Sequence, residues 1–92
     1  MPEGTPRELR ISDEFVCDLA QVWSAPLRER IRTLLASLQA FPEMGSTDVR
    51  PSLTRRYGPG LRKLCISTFV IVYRLTDDAI EVLALVAGPR VR

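Results

Sequence analysis

Residues 57–90 read YGPGLRKLCISTFVIVYRLTDDAIEVLALVAGPR, and this stretch decides the fold. It holds apolar and β-branched runs at residues 61–66, 69–75 and 79–86, separated only by short polar turns. Valine, isoleucine, tyrosine and phenylalanine favour strands, and such short turns join neighbouring strands into hairpins. The stretch therefore predicts an antiparallel three-stranded meander, with residues 69–75 as a central strand buried on both faces.

Two helices are predicted ahead of the meander. Ser12 is a suitable N-cap, and apolar residues follow it at helical spacing as far as Trp23, which we expect to anchor the core. A second helix starts at residues 24–26, where a serine precedes a proline suited to the first helical turn. Its apolar stripe covers residues 27–41 and ends before Pro42. The short connection predicts a helical hairpin lying on the sheet.

The remaining segments complete the predicted architecture. Residues 8–11 alternate polar and apolar side chains, which indicates an additional short strand. Residues 43–59 are rich in glycine, proline and serine, which predicts a long loop, and a loop of this length in a compact domain is often functional. The expected fold class is α+β in the order β-α-α-β-β-β: a twisted antiparallel sheet with the helical hairpin packed on one face. Its 92 residues form one domain, residues 1–92, with 1–6 disordered.

Composition excludes several classes of function. No apolar run is long enough to cross a bilayer, and residues 1–10 lack the apolar core of a secretory signal, so we expect a cytoplasmic protein without a membrane partner. The chain has no histidine, which excludes Ser-His-Asp and Cys-His catalysis. Its two cysteines, Cys17 and Cys65, are far apart in sequence, so we expect buried thiols and no metal or cofactor.

The net charge of +2 is unevenly distributed along the chain. Residues 1–43 contain five basic and seven acidic side chains, whereas residues 44–92 contain eight basic and four acidic ones. Twelve of the thirteen basic residues are arginine, whose planar guanidinium group contacts phosphate or carboxylate at two points. The second half therefore predicts a basic surface that suits either an acidic protein partner or a nucleic acid.

Four short phrases occur in a recognisable order. A Phe-Pro-x-x-Gly phrase occupies residues 41–45, Arg62 enters a strand, Val-Tyr-Arg occupies residues 72–74, and Ile-x-Val-Leu occupies residues 80–83. With the helical hairpin before them, these phrases resemble the RelE/ParE superfamily of bacterial toxins, and the resemblance covers residues 7–90. It implies a type II toxin-antitoxin system, associated with growth inhibition and plasmid stabilisation, in which a cognate antitoxin neutralises the toxin.

The resemblance also separates two chemistries. RelE-type members are ribosome-dependent mRNA endonucleases, whereas ParE-type members inhibit DNA gyrase and lack the ribonuclease residues. In this chain Ala87 replaces a histidine of the endonuclease pattern, Val70 occupies a position often held by arginine, and no tyrosine follows near the C-terminus. Only Tyr57 and Lys63 remain as weak candidates for a catalytic proton carrier. The ParE-like branch therefore fits better.

Three functional hypotheses follow from the resemblance. In the first, the chain is a toxin that binds an essential target such as DNA gyrase, without catalysis. The alternatives are a ribosome-dependent endoribonuclease with an atypical site, and an inactive member that serves as antitoxin partner or co-repressor. A homodimer or a hetero-oligomer with the antitoxin is expected.

The predicted binding surface for target or antitoxin is a set of basic residues, called the basic set below. For one of them, Arg74, a surface pair with Asp77 or Asp78 is an alternative role. The members are Arg55, Arg56, Arg62, Lys63, Arg74, Arg90 and Arg92.

Overall fold

The computed structural model describes residues 7–87. Its elements in chain order are β1 (Glu8–Ile11), α1 (Asp13–Ala20), α2 (Ala25–Ala40), α3 (Pro51–Tyr57), β2 (Leu61–Ile66), β3 (Phe69–Leu75) and β4 (Ala79–Ala87). The α+β class, the helical hairpin and the meander are confirmed. The predicted disorder of residues 1–6 lies outside the described residues. Within the described range, no helix has the length and apolar character required to cross a membrane.

The sheet has the strand order β1-β4-β3-β2. The pairs β2–β3 and β3–β4 are antiparallel, as predicted for a meander, but β1 pairs with β4 in parallel. The prediction of a wholly antiparallel sheet is therefore corrected at this edge. Short turns force antiparallel pairing only on strands that follow each other, and the helices and two other strands separate β1 from β4.

The helical hairpin lies on one face of the sheet because its caps and apolar stripe direct it there. Ser12 Oγ accepts a hydrogen bond from Phe15 N at 3.0 Å, and Ser24 Oγ accepts one from Leu27 N at 3.4 Å. The same Ser12 hydroxyl donates to the Leu83 carbonyl at 2.7 Å, where the β3–β4 register shifts. The resulting core joins helix and strand residues: Phe15, Val22, Ile31, Leu35, Leu38, Ile66, Ile71, Tyr73, Ile80, Val82 and Leu85.

The opposite face of the sheet is packed against α3, a helix within the stretch predicted to be a long loop. Pro51 lies in the first helical turn, and Gly58, with φ at +95°, ends the helix. Leu53 and Tyr57, one helical turn apart, pack over a second buried cluster formed by Leu61, Val70, Val72 and Ala84. The long loop is thus interrupted by a seven-residue helix, which covers part of the second face of the sheet.

Several aromatic and sulfur-containing residues lie outside the core, against expectation. Trp23 is 92% exposed, so its predicted role as a core anchor is wrong. The helix stops at Ala20, and Val22 points inward in its place. Phe41, the last residue of the predicted stripe, is also exposed because α2 ends before it. Cys17 and Cys65 are both exposed, which corrects the prediction of buried thiols.

Candidate functional site

The structure distributes the basic set over two faces of the sheet. Lys63 is paired with Val72, and Arg74 is paired with Leu61. Val72 and Leu61 belong to the cluster under α3, so Lys63 and Arg74 also lie on the α3 face. Arg62 is paired with Tyr73 and lies on the hairpin face. Arg55 and Arg56 are carried by the last turn of α3. Arg90 and Arg92 lie outside the described residues.

Arg62 is engaged by the turn that follows α2. Its Nη1 atom donates to the carbonyl oxygens of Gly45 at 3.0 Å and of Glu43 at 3.3 Å. The side chain is half-buried beneath this turn. Arg62 therefore supports the local backbone, and its guanidinium group is already partly satisfied.

The Phe-Pro-x-x-Gly phrase is held by Tyr73. The fully buried Tyr73 hydroxyl accepts a hydrogen bond from Gly45 N at 2.9 Å and donates to the Pro42 carbonyl at 2.9 Å. A Cβ atom on Gly45 would lie 2.5 Å from that hydroxyl, so only glycine fits. Burial raises the pKa of Tyr73, which keeps the hydroxyl neutral and able to donate. These residues form a structural lock and leave no free hydroxyl for catalysis.

Tyr57, a candidate proton carrier, is tied to α1. Its hydroxyl donates to Glu14 Oε2 at 2.6 Å, and Arg56 Nη2 donates to the same oxygen at 3.0 Å. The Arg56 guanidinium carbon also lies 5.2 Å from the centre of the Tyr57 ring. Burial, followed by the hydrogen bond to Glu14, raises the pKa of Tyr57 to about 12. Tyr57 is therefore neutral at physiological pH and poorly suited to accept a proton.

Arg74 connects α3 to the sheet. Its Nε atom lies 3.2 Å from Glu81 Oε1 on the neighbouring strand, and its Nη1 atom donates to the Tyr57 carbonyl at 2.7 Å. Both charged side chains are about two-thirds buried, at 30% and 28% exposure. Arg74 thus pairs with Glu81, and the alternative pairing with Asp77 or Asp78 is not observed. Because its donors are engaged, Arg74 fixes the end of α3.

Arg55 and Lys63 are the members of the basic set best placed to contact a partner. Arg55 is exposed on α3 and forms no ion pair with any other residue in the range 7–87. Lys63 is half-buried, and its backbone is bridged to Ser46 by two hydrogen bonds of 2.9 Å. Arg56 also reaches solvent, with a side chain that is 65% exposed, although it is paired with Glu14.

Two positions that depart from the endonuclease pattern, Val70 and Ala87, carry apolar side chains in this structure. Val70 is buried at 5% exposure beneath α3, so an arginine there would need to displace apolar packing. Ala87 ends β4 and carries no titratable group. Within residues 7–87, no group of three potential metal ligands lies together. Tyr57 and Lys63 remain the candidates for proton transfer, and the Tyr57 hydroxyl is already engaged by Glu14.

Three residues with clear structural roles were missed by reasoning from the sequence. Glu14 was interpreted only as an acidic residue of the first turn of α1, Glu81 as a strand residue, and Gly45 as a turn former. No local sequence pattern indicates their contacts, because the partners lie 42 residues from Glu14, 7 from Glu81 and 28 from Gly45. The order of the Phe-Pro-x-x-Gly and Val-Tyr-Arg phrases was the only indication that the two are linked.

Comparison with solved structures identifies the fold. The toxin-antitoxin complex RelBE2 from Mycobacterium tuberculosis superposes with a TM-score of 0.70 at 16% identity, over 90% of this chain and 99% of that one. The chromosomal ParDE system of P. aeruginosa gives 0.67 at 18% identity, over 90% and 97%. The isolated E. coli RelE toxin gives 0.68 at 15% identity, over 94% and 88%. At these identities the similarity shows a shared fold.

Family membership follows from the sequence match. A search of curated protein sequences finds no significant relative. The family model described as the ParE toxin of the type II toxin-antitoxin system parDE, however, matches residues 9–90, nearly the whole chain. The fold and the four sequence phrases agree with that match. The chain therefore belongs to the ParE toxin family of type II toxin-antitoxin systems, within the RelE/ParE superfamily.

Proposed function

We propose that this toxin acts by binding an essential target, with DNA gyrase as the first candidate, and without cleaving RNA. The observation that carries the proposal is the 2.6 Å hydrogen bond from the Tyr57 hydroxyl to Glu14. Cleavage through a 2′-hydroxyl needs a proton acceptor near the scissile phosphate. Tyr57 is occupied as a donor and has its pKa raised to about 12, so it is unsuited to that role.

Lys63, the second candidate, is supported only as a binding residue. On its face of the sheet the strand neighbours are Leu61 and Cys65, and the residue paired with it is Val72. None of these is a carboxylate or an imidazole that could exchange a proton with it. We therefore assign Lys63 to contact with an anionic group of a partner.

The basic set supplies the proposed binding surface. On the α3 face, Arg55, Arg56 and Lys63 offer positive charge to a target, while Arg74 and Glu81 hold α3 in position. We assign the same charge to recognition of a cognate antitoxin, since similar folds occur in the RelBE2 complex and the ParDE system. An acidic antitoxin segment on this face would compete with the target for the same cations.

The experiment is a supercoiling assay with purified DNA gyrase and increasing amounts of the full-length chain. The proposal expects loss of supercoiling, weakened at least about tenfold by Arg55→Glu, which reverses one exposed charge. The matched control is Arg32→Glu on α2, an exposed arginine paired only with Glu29 within residues 7–87, and it should inhibit like the parent.

The other two functions are distinguishable outcomes. Uninhibited gyrase together with mRNA cut on translating ribosomes would establish the endoribonuclease. Uninhibited gyrase, intact mRNA and normal growth of cells expressing the chain without antitoxin would establish the inactive partner or co-repressor. Either result would displace the proposal.

A further inference from the structure

The outward side of α1 carries several exposed apolar residues, with exposed polar residues, Asp13 and Gln21, towards its two ends. Val16 is 55% exposed, Cys17 and Ala20 are exposed, and Trp23 just beyond the helix is 92% exposed. Ile11, immediately before the N-cap, is 42% exposed. These residues are called the α1 face. A solvent-facing helix side normally carries charged or polar residues, and an exposed tryptophan is typical of protein contact sites.

The α1 face is held rigidly outward. Phe15, on the inner side of the helix, is 1% exposed, and Leu19 packs against the same core. The Leu85 amide of β4 donates to Asp18 Oδ2 at 3.2 Å, which fixes the helix along the sheet. Rotating α1 to hide Val16 would expose Phe15, so this face cannot be covered by a rearrangement of α1 alone.

We propose that the α1 face is the interface of a homodimer in which the α1 helices of two copies pack antiparallel about a two-fold axis. A two-fold interface must be self-complementary. Ala20 lies midway between Val16 and Trp23 along the chain, so an axis near Ala20 places Trp23 of each copy against Val16 of the other. The small alanine at the axis allows the helices to approach closely.

Charge on either side of the α1 face matches this arrangement. The first turn of α1 is acidic, with Asp13 and Glu14, while Arg28 donates to the Val22 carbonyl at the other end. Antiparallel packing brings Asp13 of one copy near Arg28 of the other, and it also opposes the two helix dipoles. Since the face itself carries no cation, a nucleic acid is a poor occupant of it.

The size of the face predicts a reversible dimer. A tryptophan contributes roughly 150–250 Å² when buried, and the other members of the α1 face are smaller side chains. Standard stable interfaces bury about 800 Å² per partner, so the contact falls among weak, transient ones. We therefore expect the full-length chain to be dimeric at about 100 µM and mostly monomeric at about 1 µM.

Sedimentation equilibrium over that concentration range tests the proposal. Ala20→Glu inserts a charge at the axis, and Trp23→Ser removes the anchor, so each should raise the dissociation constant at least about tenfold. Both positions are exposed, and the fold should tolerate the changes. The matched control is Phe41→Ser at the far end of α2, which removes another 68% exposed aromatic and should dimerise like the parent.

A cross-link locates the axis. Ala20→Cys, with Cys17 and Cys65 replaced by serine, should form a disulfide-linked dimer under mild oxidation at about 100 µM, because Ala20 faces its counterpart. A parent chain that stays monomeric throughout the range overturns the proposal. A dimer that persists in both Ala20→Glu and Trp23→Ser overturns it as well. If Trp23 fluorescence shifts only in a complex with antitoxin, the occupant is the antitoxin and the second copy is excluded.

Discussion

The buried hydroxyl of Tyr73 lies 2.9 Å from the amide nitrogen of Gly45, and it closes the turn after α2 onto the sheet. The same hydroxyl donates to the Pro42 carbonyl, while Arg62 reaches the Gly45 carbonyl. The Phe-Pro-x-x-Gly and Val-Tyr-Arg phrases are therefore two halves of one structural unit. In this chain the two phrases hold the turn, so their resemblance to the family carries no information about catalysis.

Tyr73→Phe should destabilise the fold because it leaves the Gly45 amide and the Pro42 carbonyl without their partner. We expect a loss of about 2 kcal/mol in the free energy of unfolding. Urea unfolding should show a lower midpoint at an unchanged slope, since the surface exposed on unfolding is the same. A loss below about 0.5 kcal/mol would show that water replaces the hydroxyl at this position.

Gly45→Ala should destabilise the fold for a steric reason. The new Cβ would lie 2.5 Å from the Tyr73 hydroxyl and 2.8 Å from the Lys63 carbonyl, so the turn must move away from the sheet. We expect a loss of about 2 kcal/mol in unfolding free energy. Thr47→Ala, an exposed change in the same segment, is the control and should cost less than about 0.5 kcal/mol.

The two changes at this lock should not be additive. In Gly45→Ala/Tyr73→Phe the nearest clashing atom is gone, so the double variant should lose less stability than the sum of the single losses. A double-mutant cycle by urea unfolding measures this coupling. Strict additivity would mean that the cost is set by the two clashes that remain, with the Lys63 carbonyl and with the ring carbon Cε1 of residue 73, each at 2.8 Å.

Tyr57 makes the free energy of unfolding depend on pH in the alkaline range. Its pKa is raised in the folded protein from 10.0 to about 12, so its contribution is fully present below pH 10 and is lost as the pH rises through 12. Tyr57→Phe should be less stable by about 1 kcal/mol at pH 8, because the bond to Glu14 is missing. Its unfolding free energy should fall less steeply than the parent's between pH 10 and 12. Parallel profiles would contradict this role of Tyr57.

Substitutions at Arg55 and at Arg74 should have different effects, the first on target binding and the second on stability. Arg55→Glu should weaken growth arrest on expression and leave the melting temperature unchanged, because the side chain is exposed. Arg74→Ala should lower stability by about 1–3 kcal/mol, because it removes the contacts to Glu81 and to the Tyr57 carbonyl. Thermal unfolding and growth curves of the same variants compare the two effects. Equal losses of stability would remove the distinction.

The parts of the fold that could be predicted are those with strong local patterns. The apolar stripe of α2 and the two hairpin turns are encoded by residues that are close in sequence. The bounds of α2 and of the three meander strands are therefore confirmed to within a residue or two. The parallel pairing of β1 with β4 could not be predicted because it depends on where the helices return the chain.

The parts that could not be predicted depend on contacts between distant residues. The helix α3 is too short for a periodic signal, and its Leu53 and Tyr57 are recognised as inward-facing only once the cluster around Val72 is known. Trp23 was placed inside because a large apolar ring usually is, whereas the helix end at Ala20 leaves it outside. At the candidate site, the basic residues could be predicted from composition. The carboxylates that pair with Arg56 and Arg74 could not, because only the folded chain brings them together.

The most direct test of binding without catalysis is to map the 5′ ends of an mRNA after incubating translating ribosomes with the purified chain. The account predicts that the mRNA stays intact at chain concentrations that stop gyrase supercoiling. Cleavage of the mRNA within the ribosomal A site, abolished by Tyr57→Phe or by Lys63→Ala, would contradict it.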